Sequence, residues 1–230
     1  MRLNTAIKLG MLMLAVAALV ALGFWQIQRG REKQRLIADF RQAEAAEAVP
    51  LTATLPLPQG LLMQPVSFGG HYEPAHQLLL DNQQHGERSG YDVWTPFRLD
   101  SGALIVVDRG WIADAKALSP PPAGEQQLRG LRRTLPQPGL RLGASELCSG
   151  QGWPRAVLYP QPADLRCLLG EAPLPGVVLL DPHADGGYVR DWLPVQGFPP
   201  QRHFGYAMQW FALAATLLVL TLLFMFRSRR

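Results

Sequence analysis

A chain of 230 residues that is 48% hydrophobic and only 17% charged has room for one soluble core of modest size once two long apolar runs are set aside. A net charge of +4 and a pI near 9.4 would suit a nucleic-acid binder, but the basic residues crowd around those runs. Arg2, Lys8, Arg29, Arg31, Lys33 and Arg35 flank the first, and Arg202, Arg227, Arg229 and Arg230 flank the second, a distribution that belongs to a membrane surface and argues against nucleic acid as a partner.

After a short tail, 1–8, residues 9–28 read LGMLMLAVAALVALGFWQIQ, a charge-free run of 20 that is long enough to span a bilayer. A signal peptide would have an apolar region of about 7–15 residues followed by a small-residue cleavage site. This run is longer and ends on Phe24, Trp25 and Gln26, so an uncleaved anchor is expected.

Residues 29–201 form the extramembrane part. A helical extension is expected over 29–47, which is free of Pro after Gly30 and ends before Pro50, with Leu36, Ile37 and Phe40 as an apolar edge for docking. A β-rich domain follows over 62–198. Its strand candidates are MQPVSFGGHY, QLLLDN, GYDVWTPFRL, ALIVVDRGWI, EQQLRGLRRTL, RAVLYP, GVVLLD and GYVRDWLPV. Asp100-Ser101-Gly102 is a hairpin signal, with further turn chemistry at Glu73-Pro74 and from Gly86 to Gly90. The expected fold class is a mainly β (α+β) soluble domain, a small antiparallel barrel or sandwich, flanked by two transmembrane helices.

A Pro- and Gly-rich excursion over 136–175 reads as loops and holds the two cysteines, Cys148 and Cys167. Two readings stay open for them. In an oxidising compartment they would close a loop of about 20 residues, adding roughly 3 kcal/mol; otherwise they are two unpaired thiols.

The second span is expected over 202–226, before a basic tail at 227–230. The 24 residues between Arg202 and Arg227 carry no formal charge, and at roughly 1.5 Å per residue they cross a hydrocarbon core of about 30 Å. Its first turns carry His203, Tyr206, Gln209 and Trp210, with 203, 206 and 210 on one helical face. That face is either an aromatic belt at headgroup level or a ligand site.

Two spans put both termini on one side and the domain on the other, and charge does not decide which side is which. The polar end of the first span (Trp25, Gln26, Arg29) must then lie at the same depth as that of the second (Arg202, His203, Tyr206, Gln209, Trp210). Ala17 with Ala21 and Ala212 with Thr216 are small pairs that would let the helices approach. Trp25 or Arg29 is therefore expected beside His203 or Tyr206. Such a cleft, with aromatic walls, one imidazole and two guanidinium groups, suits a flat apolar ligand with anionic edges and a greasy tail. Haem fits, since imidazole ligates its iron and arginines hold its propionates. A structural helix pair with snorkelling arginines would give the same pattern.

LGFWQIQRGREKQRLI, GHY, LLLDNQQHGERSGYDVWTPF, DRGWI and HFGYAMQWFALA stand in that order between two spans. Together they resemble the Surfeit locus protein 1 family of cytochrome c oxidase assembly factors, over about 20–113 and again over about 188–215. The resemblance implies a two-span, non-enzymatic protein of the bacterial inner membrane, with its domain in the periplasm and both termini in the cytoplasm. In a eukaryote the mitochondrial inner membrane and the intermembrane space would take those places. It implies work on the haem a sites of oxidase subunit I, with that subunit and other oxidase assembly factors as partners beside the lipid bilayer. The family's histidine at the start of the second span is the residue proposed to handle haem, and His203 matches it. The implied haem a site has His203 on the iron, Arg202 and Arg29 toward the propionates, and Tyr206, Trp210 and Trp25 as walls. The alternative is a cofactor-free scaffold that stabilises subunit I while another protein delivers haem. One departure is Asp108, where an asparagine usually precedes the arginine-glycine-tryptophan motif; an acid there could pair with Arg109.

Other constellations carry less. Asp81, His85 and Ser89 lie close in sequence, but there is no G-x-S-x-G elbow to support a hydrolase. Asn82, Arg88, Gly90 and Tyr91 read as a hairpin loop, and His71 and His76 as surface histidines. Trp111 is expected in the core or stacked on an arginine, with Gly110 at a sharp bend.

Overall fold

Two groups of residues fold as separate compact units, Met1–Ala38 with Pro194–Arg230, and Asp39–Leu193. The computed structural model describes residues 2–59, 63–136, 148, 152–192 and 197–227, and side chains from residue 7 onward. The side chain of Arg2, the expected basic residues Arg229 and Arg230, and most of the loop before Trp153 lie outside this description.

The second unit begins with the last turns of helix α1 (Arg2–Ala45) and contains strands β1 (Val49–Pro50), β2 (Gln64–Tyr72), β3 (Leu78–His85), β4 (Arg88–Leu99), β5 (Leu104–Ile112), β6 (Gln126–Arg133) and β7 (Arg155–Val157), then helix α2 (Pro162–Leu169) and strand β8 (Val177–Leu180). The sheet order is β1-β2-β6-β8-β5-β4-β3-β7, and β2 pairs a second time with β4. That extra pairing closes β2, β6, β8, β5 and β4 into a barrel. The sheet is mixed, because β1–β2, β3–β7 and β5–β8 run parallel. Closure turns on Gly70, which pairs with both Leu99 and Gln126. Its φ is +144°, and a Cβ there would fall 1.9 Å from the Arg98 carbonyl oxygen. Only glycine lets one strand serve two neighbours at so close an approach.

Strand alternation sends every second residue inward. Val66, Phe68, Tyr72, Phe97, Leu99, Ile105, Val107, Leu128, Val178 and Leu180 fill the barrel, and the Phe97 ring meets Phe68 and Tyr72 edge-on at 5.1 and 4.9 Å. The same alternation brings in two arginines. Arg109 donates through Nε to the Gly186 carbonyl at 2.8 Å and through Nη1 to Gln77 Oε1 at 2.9 Å, between the rings of Tyr72 and Tyr188. Arg132 donates to the carbonyls of Leu55 and Pro175. Neither has a carboxylate partner among these bonds, and burial pulls both guanidinium pKa values down.

Asp108 does not pair with Arg109. Neighbours on a strand point to opposite faces, so Asp108 leaves the barrel wall on the outer side. There Oδ2 accepts from Trp94 Nε1 and Oδ1 from the Gly110 N–H, both at 3.1 Å. Fully buried, its carboxyl is pushed well above the ordinary aspartate range by lost hydration and by the charge of Asp92. Asp92 is itself pushed up to about 6 by burial, with Arg133 pulling the other way.

The outer wall is covered in two places. Trp94, Val106 and Val177 pack with Val157, Leu165 and Leu168, and Phe40 of α1 packs with Leu131 and Leu179. The excursion thus supplies β7, within the expected strand RAVLYP, and α2, where loop was expected. Helix α2 starts with Pro162 in its first turn and a reciprocal cap between Gln161 and Asp164, and stops at Gly170, φ +78°. Cys167, on α2, is bonded to Cys148. Gly86 and Glu87 alone form the β3–β4 turn, since His85 already pairs with Arg88. Arg88, Gly90 and Tyr91 are therefore strand residues, and Asn82 sits at a bulge with φ +60°. The expected strand GYVRDWLPV reduces, among its described residues, to one bridge between Val189 and Trp111. A bond from the Trp192 N–H to the Arg190 carbonyl turns the chain away beyond it. Gly110, φ +109°, allows that strap's close approach, because its Cβ would lie 2.5 Å from the Val189 carbonyl oxygen.

Candidate functional site

The first unit pairs α1 with helix α3 (Pro200–Arg227). Both are long and apolar enough to cross a membrane, and only 6% of the most apolar window of each is buried, so most of this surface is built to meet lipid. What holds the helices together is a narrow seam. A Cβ on Gly23 would fall 2.6 Å from the Phe211 ring, and one on Gly30 would fall 2.8 Å from the Phe204 ring. The two glycines and the two phenylalanines are each seven residues apart, so the same contact repeats two turns along an antiparallel pair. Ala207 and Ala214 are buried on the α3 side of the seam, and Phe24 meets Phe211 edge-on at 5.3 Å. The expected small pairs Ala17/Ala21 and Ala212/Thr216 are exposed and take no part. Their spacing is right for a helix face, but the face is the wrong one.

At the Gly30 end of the seam lies His203. Its Nδ1 is 2.7 Å from Oε1 of Gln26. Its Nε2 is buried and has no hydrogen-bond partner. Lys33, one turn beyond Gly30, donates through Nζ to the Phe198 carbonyl at 2.6 Å, and the guanidinium of Arg202 lies 5.0 Å over the Phe198 ring. Arg29 pairs with Glu32 at 2.7 Å and is exposed. Trp25 is 55% exposed and Tyr206 41%, while Trp210 is half-buried. Of the six expected site residues, then, His203 has a hydrogen-bond contact across the seam, and Trp210, seven positions on along the same face of α3, is half-buried. Arg202 is held by an aromatic ring beside it, and Trp25, Tyr206 and Arg29 face outward. Gln26 and Lys33 were not foreseen as contacts, although the 23-26-30-33 spacing of one helix face contained both.

The remaining candidates lie in the barrel unit. His85 is 3.7 Å from Asp191 and its ring is 5.2 Å from that of Trp111, Ser89 pairs with Gln84 across β3 and β4, and Asp81 caps the Asn82 N–H. The three therefore do not form a relay. Trp111 is buried, with the Arg88 guanidinium 5.5 Å over it. His71 lies by Glu125 and His76 by Trp153. Among the described residues no three His, Cys, Asp or Glu side chains converge on a possible metal.

Comparison with known proteins gives a match to the SURF1 family over residues 13–215. The chain is 32% identical over 98 residues to the SURF1-like protein of Rickettsia bellii (strain RML369-C), covering 42% of this chain and 39% of that one. It is 31% identical over 120 residues to Surfeit locus protein 1 of Mus musculus, covering 46% and 39%. It is 30% identical over 98 residues to the cytochrome oxidase assembly protein SHY1 of Saccharomyces cerevisiae, covering 41% and 25%. The chain thus spans about two fifths or less of the length of these relatives.

Proposed function

We propose for this chain, which belongs to the SURF1 family, a role as a membrane-bound assembly factor for cytochrome oxidase that holds haem a at His203 and assists its insertion into subunit I. The name of the yeast relative supports the assembly role. The observation that carries the haem reading is the buried imidazole whose Nε2 has no partner. An unpaired polar atom away from water is costly, and a bond to haem iron would satisfy it.

The residues present fit such a ligand. Bound haem supplies the iron and a flat apolar ring. His203 would ligate the iron, Arg202 would reach a propionate, and Arg29 would do so by exchanging Glu32 for it. Trp210, Tyr206 and Trp25 would border the ring at headgroup depth, where aromatic residues are favoured. The chain's own part in this is to bind, orient and shield, not to catalyse.

A second reading has an observation in its favour. Nε2 of His203 has almost no accessible surface, so an iron reaches it only after a neighbouring side chain swings away. If that never happens, the seam is a scaffold that steadies subunit I without a cofactor.

The Cys148–Cys167 bond supports an oxidising compartment for the domain, hence the periplasmic side of a bacterial inner membrane with both termini in the cytoplasm. Complementation of a deletion strain tests the role. His203→Ala, inserted at normal levels, is expected to leave oxidase short of haem a. Full oxidase haem content with that variant would contradict the haem reading and favour the scaffold.

A further inference from the structure

Building on that reading of His203, we propose that Gln26 is the residue that makes the histidine a ligand, by fixing its tautomer and its orientation. The contact is Nδ1 to Oε1 at 2.7 Å. An amide oxygen can only accept, so the proton must sit on Nδ1, and a neutral imidazole protonated there carries its free lone pair on Nε2. That is the same nitrogen that is left buried and unpartnered. One bond therefore does two things: it stops the ring from turning, and it leaves Nε2 able to bind a metal ion. With the proton on Nε2 instead, the buried nitrogen would be a donor with no electron pair to give.

Local sequence makes the contact possible. Gln26 lies one turn from both Gly23 and Gly30 on α1, in the seam. A Cβ on Gly30 would fall 3.3 Å from Cβ of His203, so it is the missing side chain at 30 that brings the backbones close enough for the glutamine to reach Nδ1. The amide is half-buried between apolar helices, where water competes weakly for it and the bond is correspondingly persistent. Partners of this kind on the far nitrogen of a ligating histidine set ring orientation and ligand basicity, and their loss typically costs about 10–100-fold in metal affinity.

The test uses the full chain in lipid bilayers without haem, labelled with ¹⁵N-histidine, at about pH 8, where an ordinary imidazole is neutral. The His203 signals are found by difference from His203→Ala. The expected spectrum shows Nδ1 protonated and Nε2 not. Gln26→Leu is expected to populate both tautomers, and Gln26→Glu, which still offers an acceptor, to restore the first. With haemin added, Gln26→Leu should bind at least about tenfold more weakly and Gln26→Glu within a few-fold of the wild type. A wild type protonated on Nε2, or a Gln26→Leu variant with an unchanged tautomer, would overturn the proposal. The expected tautomers in a wild type that takes up no haemin would sink the haem reading and leave the role of Gln26 in fixing the tautomer standing.

Discussion

Asp92 and Asp108 show what single residues of the domain have to bear. Each is an acid taken out of water, and both carboxyl groups are held up by burial, Asp108 also by the charge of Asp92. An acid whose pKa is higher folded than unfolded binds its proton more tightly in the folded state. Its contribution is therefore complete below the unfolded value, about 4, and is lost as pH rises through the folded one. For Asp92 the folded value is about 6, which makes the window roughly pH 4 to 6 and the loss about 3 kcal/mol. Asp92→Asn removes the titrating group and should flatten the stability profile across that window. Urea denaturation of the two proteins at a series of pH values measures it, and parallel profiles would be the contrary result. The same burial bears on Asp108, where the resemblance expects an asparagine. By raising its pKa, burial favours the uncharged form of Asp108, which is closer to an amide than the carboxylate is.

At the scale of elements, legibility follows how strongly each pattern contrasts with its surroundings. Strands β2, β4, β5, β6 and β8 stood out because apolar residues alternate with polar ones or run together between turn residues. The choice between the expected barrel and sandwich did not stand out, because closure depends on Gly70 serving two partners, and nothing separates that glycine from Gly69 in the sequence. Helix α2 was hidden by the prolines and glycines around it, although Pro162, Asp164 and Gly170 are the ordinary start and stop signals of a short helix. The α1–α3 seam was the least legible element. Lipid-facing and partner-facing positions are equally apolar, so hydrophobic periodicity says little, and only the seven-residue recurrence of Gly23 and Gly30 against Phe204 and Phe211 marks it. Gly30→Leu tests the seam directly. The added side chain would overlap the Phe204 ring and should destabilise the helix pair by roughly 1–3 kcal/mol. Cross-linking between cysteines introduced at Ile27 and Ala207 would report the separation, and unchanged cross-linking in Gly30→Leu would contradict the packing.

For the molecule as a whole, His203 was visible in the sequence because a histidine at the mouth of an apolar span is unusual and because the surrounding motif resembles a known family. Its partner Gln26 was not, since a glutamine at a membrane exit has many uses and the contact crosses 177 positions of chain. Trp25 and Tyr206, exposed at 55% and 41%, were also visible, but aromatic residues at headgroup depth are common whether or not a ligand is near, so the sequence alone does not tie them to a site. The central claim is that the helix pair holds haem a through His203. Its most direct test is the visible absorption spectrum of the protein purified in mild detergent from a host that makes haem a, beside that of His203→Ala. The account predicts a haem band in the wild type that is lost in a variant of equal helix content. A band of the same position and intensity in both, or none in either, would contradict it.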